Sequence, residues 1–138
     1  MTDTNIKYLG HDLIELSEIQ FARDTLLSSE MFKHSPRMSR LLDYLVEQAI
    51  LESVRDTSEY AIGIGVFDRD PQSYSTGEDP VVRVQVGRLR AKLKNYYATY
   101  GCNAKVKIVV PLGCYMPTFH RGPVNAKGAQ HSGIFCIS

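Results

Sequence analysis

Asp79-Pro80-Val81-Val82-Arg83-Val84-Gln85-Val86-Gly87-Arg88-Leu89-Arg90-Ala91-Lys92-Leu93-Lys94-Asn95-Tyr96-Tyr97 can be a strand or a helix, and the rest of the chain arranges itself around the answer. Val82-Arg83-Val84-Gln85-Val86 alternates as a half-buried strand does. The alternation stops after Val86. Val82, Val86, Leu89, Leu93 and Tyr96/Tyr97 instead keep helical spacing to the end of the stretch. A start signal precedes them: Asp79 can accept from the first backbone N–H groups, and Pro80 suits the first helical position because it has no N–H to satisfy. A helix is therefore expected, with one apolar stripe and with Arg83, Arg88, Arg90, Lys92 and Lys94 on the remaining surface.

Charge divides at the same point. All 15 acidic residues lie at or before Asp79, and the chain beyond it carries only Arg83, Arg88, Arg90, Lys92, Lys94, Lys105, Lys107, Arg121 and Lys127. The near-neutral total of +1 thus joins a part of about −8 to a part of about +9. Such asymmetry points to a polyanionic partner for the basic part, nucleic acid first and an anionic membrane second. The plainer reading is a solvated charged face, but surfaces that serve only solubility usually mix both signs.

The 138 residues fit one domain with a real core, and 43% hydrophobic against 22% charged residues is ordinary for a globular chain. No apolar run approaches the roughly 20 residues that span a bilayer. The first residues lack the basic and apolar regions of a secretory signal. Cys102, Cys114 and Cys136 are odd in number and without paired metal spacing, which fits a reduced cytosolic compartment. His11, His34, His120 and His131 are scattered, so neither a metal nor another cofactor is expected.

Residues 1–11 read as poorly ordered. Ser17-Glu18-Ile19-Gln20 reads as a capping box that opens a short helix over 17–28, which either packs on the domain or forms a dimer contact. Ser35-Pro36 opens a stronger helix, whose Met38, Leu41, Leu42, Leu45, Val46, Ala49 and Ile50 form a wide core-facing stripe. Asp56-Thr57-Ser58-Glu59 opens a third, running through Phe67. Its Gly63 and Gly65 do not make a nucleotide loop, since Asp68 stands where the third glycine belongs; close approach of another helix explains them better. A polar connector leads to the basic helix. Val106, Ile108 and Val110 then alternate with Lys107 and Val109, Pro111-Leu112-Gly113 turns the chain, and Tyr115, Pro117 and Phe119 return on one face. That is a β-hairpin signature. From His120 the chain reads as a loose tail ending in the apolar cluster Ile134-Phe135-Cys136-Ile137.

The expected fold is α+β, mainly α: a winged helix-turn-helix with a C-terminal hairpin wing and an extra N-terminal helix. Residues 1–28 are the extension, 29–119 the domain and 120–138 the tail. Glu59-Tyr60-Ala61-Ile62-Gly63, Val66-Phe67-Asp68-Arg69-Asp70-Pro71, Asp79-Pro80-Val81-Val82-Arg83-Val84, Arg88-Leu89-Arg90-Ala91-Lys92-Leu93, Tyr96-Tyr97 and Pro111-Leu112-Gly113-Cys114-Tyr115-Met116-Pro117 resemble a bacterial winged-helix domain that fronts larger regulators. It is similar in turn to the OmpR/PhoB-type effector domain. The resemblance implies sequence-specific binding of duplex DNA and transcriptional control. By position it places Arg83, Val84, Gln85, Gly87 and Arg88 towards the groove and Arg90, Lys92 and Lys94 towards phosphates. Lys105 and Lys107 on the hairpin complete the candidate DNA contacts. Three departures stand out. Leu112 replaces the usual wing lysine, no receiver, sensor or repeat module accompanies the domain, and the helix over 17–28 stands where a small N-terminal sheet is usual.

The function expected is therefore a DNA-binding regulator, cytoplasmic and nucleoid-associated, working as a homodimer, with RNA polymerase or another regulator as a second partner and no membrane. The alternative is a winged-helix protein-interaction module acting as an antagonist or co-regulator, which an exposed Val84 and a neutral wing tip would suit. An enzyme is not expected. Cys114, Tyr115 and His120 lie close in sequence, but no acidic residue follows Asp79 to orient a histidine.

Overall fold

The computed structural model describes residues 6–9, 12–51 and 56–122. The elements run β1 (Ile6–Leu9), β2 (Asp12–Glu15), α1 (Leu16–Ser28), α2 (Glu30–Lys33), α3 (Pro36–Ile50), α4 (Glu59–Gly65), α5 (Val81–Ala98), β3 (Val106–Val109) and β4 (Thr118–Arg121). The chain is α+β and mainly helical, with two small antiparallel sheets, β1–β2 and β3–β4.

The stretch 79–97 resolves to helix. Asp79 Oδ1 accepts from the Val81 N–H at 3.1 Å, and the Val84 N–H donates to the Pro80 carbonyl at 2.9 Å. Asp79 thus serves the helix start, but from one position further out than expected: α5 begins at Val81, and Pro80 is its N-cap rather than its first residue. Val82, Val86 and Leu89 are fully buried, so the helical stripe outweighs the local alternation. In α3, Met38, Leu41, Leu42, Leu45, Val46 and Ala49 are buried along the expected stripe. In α4, Ser58 Oγ accepts from the Ala61 N–H at 3.1 Å. This helix ends at Gly65, two residues before the expected Phe67, and Val66 and Phe67 are buried in the turn that follows. Gly63 is explained by close approach, but of the Tyr74 ring from the connector rather than of a helix; Gly65 faces Tyr44 of α3.

The N-terminal region departs most from expectation. Part of the stretch expected to be poorly ordered is strand: Ile6 pairs opposite Glu15 and Leu9 opposite Asp12. A small N-terminal sheet is thus present, contrary to its expected replacement by a helix. α1 begins at Leu16, so Ser17 is not its cap. Glu15 is, and its N–H donates to Glu18 Oε1 at 3.0 Å. Glu18 sits three residues from Glu15, the spacing a reciprocal cap requires, and it takes the place assigned to Gln20. The short α2, which no cap or periodic stripe in the sequence announces, buries Phe32 completely.

The core does not begin at residue 29. Ile14, Ile19 and Leu26 join Phe32, the α3 stripe, Ile62, the α5 stripe, Ile108 and Phe119 in one cluster. α1 therefore packs as part of the fold. Charged pairs fasten its rim. Arg121 on β4 grips Glu18 with both terminal nitrogens, at 2.7 and 2.8 Å, and this holds the Glu18 carboxyl below its ordinary pKa. Arg23 reaches Glu47 on α3 at 2.6 Å.

In the C-terminal hairpin Val106 pairs opposite Arg121 and Val109 opposite Thr118. β4 thus continues past His120, where a loose tail was expected, and residues 110–117 form a long connection rather than a tight turn. Gly113 takes a φ of 88° within it, a conformation that favours glycine. The rest of the expected tail, 123–138, lies outside the described residues. Cys114, in the hairpin connection, is free and exposed. Among the described residues no helix is long and apolar enough to cross a membrane.

Candidate nucleic-acid interface

At 100° per residue, a helix that buries Val82, Gln85, Val86, Leu89, Leu93 and Tyr96 turns a defined strip away from the core. On α5 that strip is Val84, Gly87, Arg88, Ala91, Lys94, Asn95 and Ala98, all exposed, over an arc of about 120°. Its middle is low, because Gly87, Ala91 and Ala98 have little or no side chain. No atom lies within 4 Å of where a Cβ on Gly87 would stand. Arg88 flanks one side and Lys94 the other. Neither has a hydrogen-bond or ion-pair partner among the described residues.

The candidate contacts read from the sequence separate into groups. Val84, Gly87, Arg88 and Lys94 come together on the strip. Gln85 does not: it is buried, because it lies three residues after Val82 and four before Leu89 and so belongs to the core stripe. Arg83 is exposed but engaged, with Nη1 at 2.6 Å from Glu59 Oε2 and 2.9 Å from the Thr76 carbonyl. It joins α5 to the start of α4 and to the connector. Arg90 is turned towards the hairpin, where it donates to the carbonyls of Val110 at 3.1 Å, Pro111 at 2.9 Å and Cys114 at 2.9 Å. Its guanidinium also stands 5.9 Å from the centre of the Tyr115 ring. Lys92 leaves α5 on the opposite side, donates to the Met31 carbonyl at 3.0 Å and lies over Phe32. Arg90 and Lys92 are thus both engaged within the fold. On the hairpin, Lys107 stands over Tyr97 at 5.7 Å and Lys105 is exposed.

Ala91, Asn95 and Ala98 were missed. Their signal was present: they lie 7, 11 and 14 residues from Val84, the spacing of one helix face. At the far end of the hairpin connection, Leu112 is 85% exposed. Between the start of α4, α5 and this connection lies a cleft of about 670 Å³, floored by Arg83, Arg90 and Tyr115. Burial pushes the Tyr115 phenol up in pKa, so it stays neutral.

The charge split along the sequence is partly closed by folding. Glu59 answers Arg83, Glu18 answers Arg121, and Asp79 is paired with Arg69 at 2.7 Å and held below the ordinary carboxylate range. What remains open on α5 is the Arg88 and Lys94 pair of flanks. Among the described residues no group of three His, Cys, Asp or Glu could hold a metal ion. No family model matches the chain, and neither curated proteins nor solved structures include a match, so the site is read on its own geometry.

Proposed function

We propose that the protein is a winged-helix regulator of transcription that binds duplex DNA with the exposed strip of α5 in the major groove. The observation that carries this reading is the strip itself: low in the middle, without acid, and edged by two cations that nothing in the described fold neutralises. A major groove about 12 Å wide admits one helix whose side chains then meet base edges. In that pose Gly87 and Ala91 let the backbone approach, Arg88 donates its planar fork to guanine O6 and N7, and Lys94 meets phosphate.

The remaining parts have roles in this reading. α4 and α5 are joined by residues 66–80, far longer than the three- or four-residue turn of a simple helix-turn-helix. The Arg69–Asp79 pair and the Arg83 bonds to Glu59 and Thr76 supply the rigidity that a short turn would give. The hairpin, held by Arg90, brings Leu112 to the flank of the duplex. Two copies on adjacent half-sites would double a small footprint. The inner face of α1 is used by the core, so that pairing rests on footprint size alone.

A second reading, a winged-helix module for protein contact, is favoured by Val84 at 44% and Leu112 at 85% exposure. Fluorescence anisotropy on duplexes over about 50–200 mM salt separates the two. Binding that falls steeply with salt, with Arg88→Ala relaxing preference at one base-pair position, supports DNA reading. Absence of duplex binding at about 50 mM salt overturns it.

A further inference from the structure

The exposed strip of α5 has a centre line as well as flanks. At 100° per residue, Val84, Ala91 and Ala98 fall within about 20° of that line, and Arg88 and Lys94 stand about 60° to either side. Asn95, about 40° off the line and near the far end of the helix, is the nearest polar side chain. The cations therefore edge the strip, and the side chains aimed straight out from it are apolar. Val84 is the largest of them and is 44% exposed. We infer that Val84 reads the C5-methyl group of a thymine lying within about two base pairs of the guanine that Arg88 meets. This contact presupposes the duplex reading proposed above and gives it a base preference.

The chemistry of the groove selects the thymine. Base edges in the major groove present donors and acceptors, and the one apolar group among them is the thymine C5-methyl. Over a G·C pair the Val84 methyls would take water from O6, N7 or the cytosine amino group and offer no hydrogen bond in return. Over thymine they cover a methyl and leave no polar group unpaired.

The fold presents Val84 ready for that contact. Its N–H donates to the Pro80 carbonyl at 2.9 Å, which fixes it in the first turn. A β-branched side chain in a helix keeps essentially one rotamer, so ordering it on a base loses little. Nothing nearby covers it. Arg83 is drawn off to Glu59 and the Thr76 carbonyl, and Gly87, one turn on, has no side chain and open space where one would stand. Arg88 follows Val84 by four residues, or about 6 Å along the axis, against about 3.4 Å per base step. That rise sets the spacing between the thymine and the guanine.

The test uses the full chain and a duplex selected with it from a randomised library. Each thymine of that duplex is replaced in turn by deoxyuridine, which pairs with adenine alike and lacks only the C5-methyl. At one thymine per half-site the replacement should weaken wild-type binding about fourfold, the effect of one buried carbon. That thymine should lie within about two base pairs of the position whose preference relaxes in Arg88→Ala. With Val84→Ala, an exposed change that favours the helix, the same replacement should alter affinity by less than about 1.5-fold. A duplex bound with steep salt dependence but indifferent to every deoxyuridine overturns the thymine contact and leaves DNA binding standing. So does a penalty that survives Val84→Ala, or one that falls farther from the Arg88 position. Failure of the library to yield any bound duplex overturns both.

Discussion

Arg90→Ala should weaken the fold without weakening the electrostatic attraction to DNA. The side chain spends its fork on three carbonyls of the hairpin connection, Val110, Pro111 and Cys114, and stands over Tyr115. A hydrogen bond from a charged donor contributes about 1.5–3 kcal/mol. The three share one guanidinium, and the bond to Cys114 is exposed, so its carbonyl can turn to water when the donor goes. The Val110 side of the site is nearly closed and has no such substitute. The net loss works out at about 2–3 kcal/mol, or about 8–12 °C in melting temperature for a domain of this size. Arg90→Lys should recover only a fraction, because one ammonium cannot reproduce three directed N–H groups in a plane. Urea unfolding followed by circular dichroism gives the first number, and anisotropy against salt gives the second. The dependence of log affinity on log salt should keep its wild-type slope, since no phosphate contact is lost. A variant as stable as wild type within about 0.5 kcal/mol, with a slope shallower by about one, would show that Arg90 leaves the hairpin to hold phosphate.

Three further outcomes can be checked with the same assays. Lys92→Met should cost about 1 kcal/mol of stability through the lost bond to Met31 and leave the salt slope alone, whereas Lys94→Ala should leave stability alone and flatten the slope by about one; equal slopes for both would sink the proposed strip. Gly87→Ala should stabilise by about 0.8–1 kcal/mol, since a helix gains and nothing is displaced, while Gly122→Ala should lose about 1–3 kcal/mol against the Ala104 carbonyl; a urea midpoint that moves the wrong way for either contradicts the packing. Glu18 has its folded pKa lowered by Arg121, so its contribution is present above the unfolded value of about 4.3 and is lost as pH falls through the folded one. Glu18→Gln should cost less than about 1 kcal/mol near neutral pH, because the pair is partly exposed, and should flatten the stability curve between about pH 5 and 3; an unchanged acid limb would show that the clasp carries none of it.

The helices were legible where burial is periodic and a cap announces it. Pro36 with the α3 stripe, Ser58 with α4, and Asp79 with the α5 stripe all left marks in the sequence that the packing then uses. The β1–β2 hairpin left little mark, because four-residue strands on either side of Gly10-His11 are too short to show a period. The cap of α1 was misplaced because a glutamate, seldom an N-cap, sits two residues before a serine, which often is. At the candidate site, Val84, Gly87, Arg88 and Lys94 could be placed from the helix period alone. Gln85 could have been set aside on the same ground: its 100° offset from Val84 puts it at the edge of the apolar arc, but the resemblance placed it towards the groove. Arg90 and Lys92 could not be sorted from a single helix. Both are at its flanks, and whether a flank meets solvent or a neighbour depends on where α2 and the hairpin lie, which no local pattern records.

The clasp between Glu18 and Arg121 has a consequence for a chain made from one end. The two residues are 103 positions apart, and β2, which leads into α1, lies against β4. On the ribosome, α1 is complete and α3 can begin to pack while β4, which lies against β2, is still unsynthesised. Arg121 leaves the exit tunnel 103 positions after Glu18, so the N-terminal hairpin waits through that stretch of synthesis with one side open. At about 5–20 residues per second that wait lasts several seconds or more. It is the interval in which the nascent domain is most exposed to chaperones, to proteases and to the wrong strand of a neighbour.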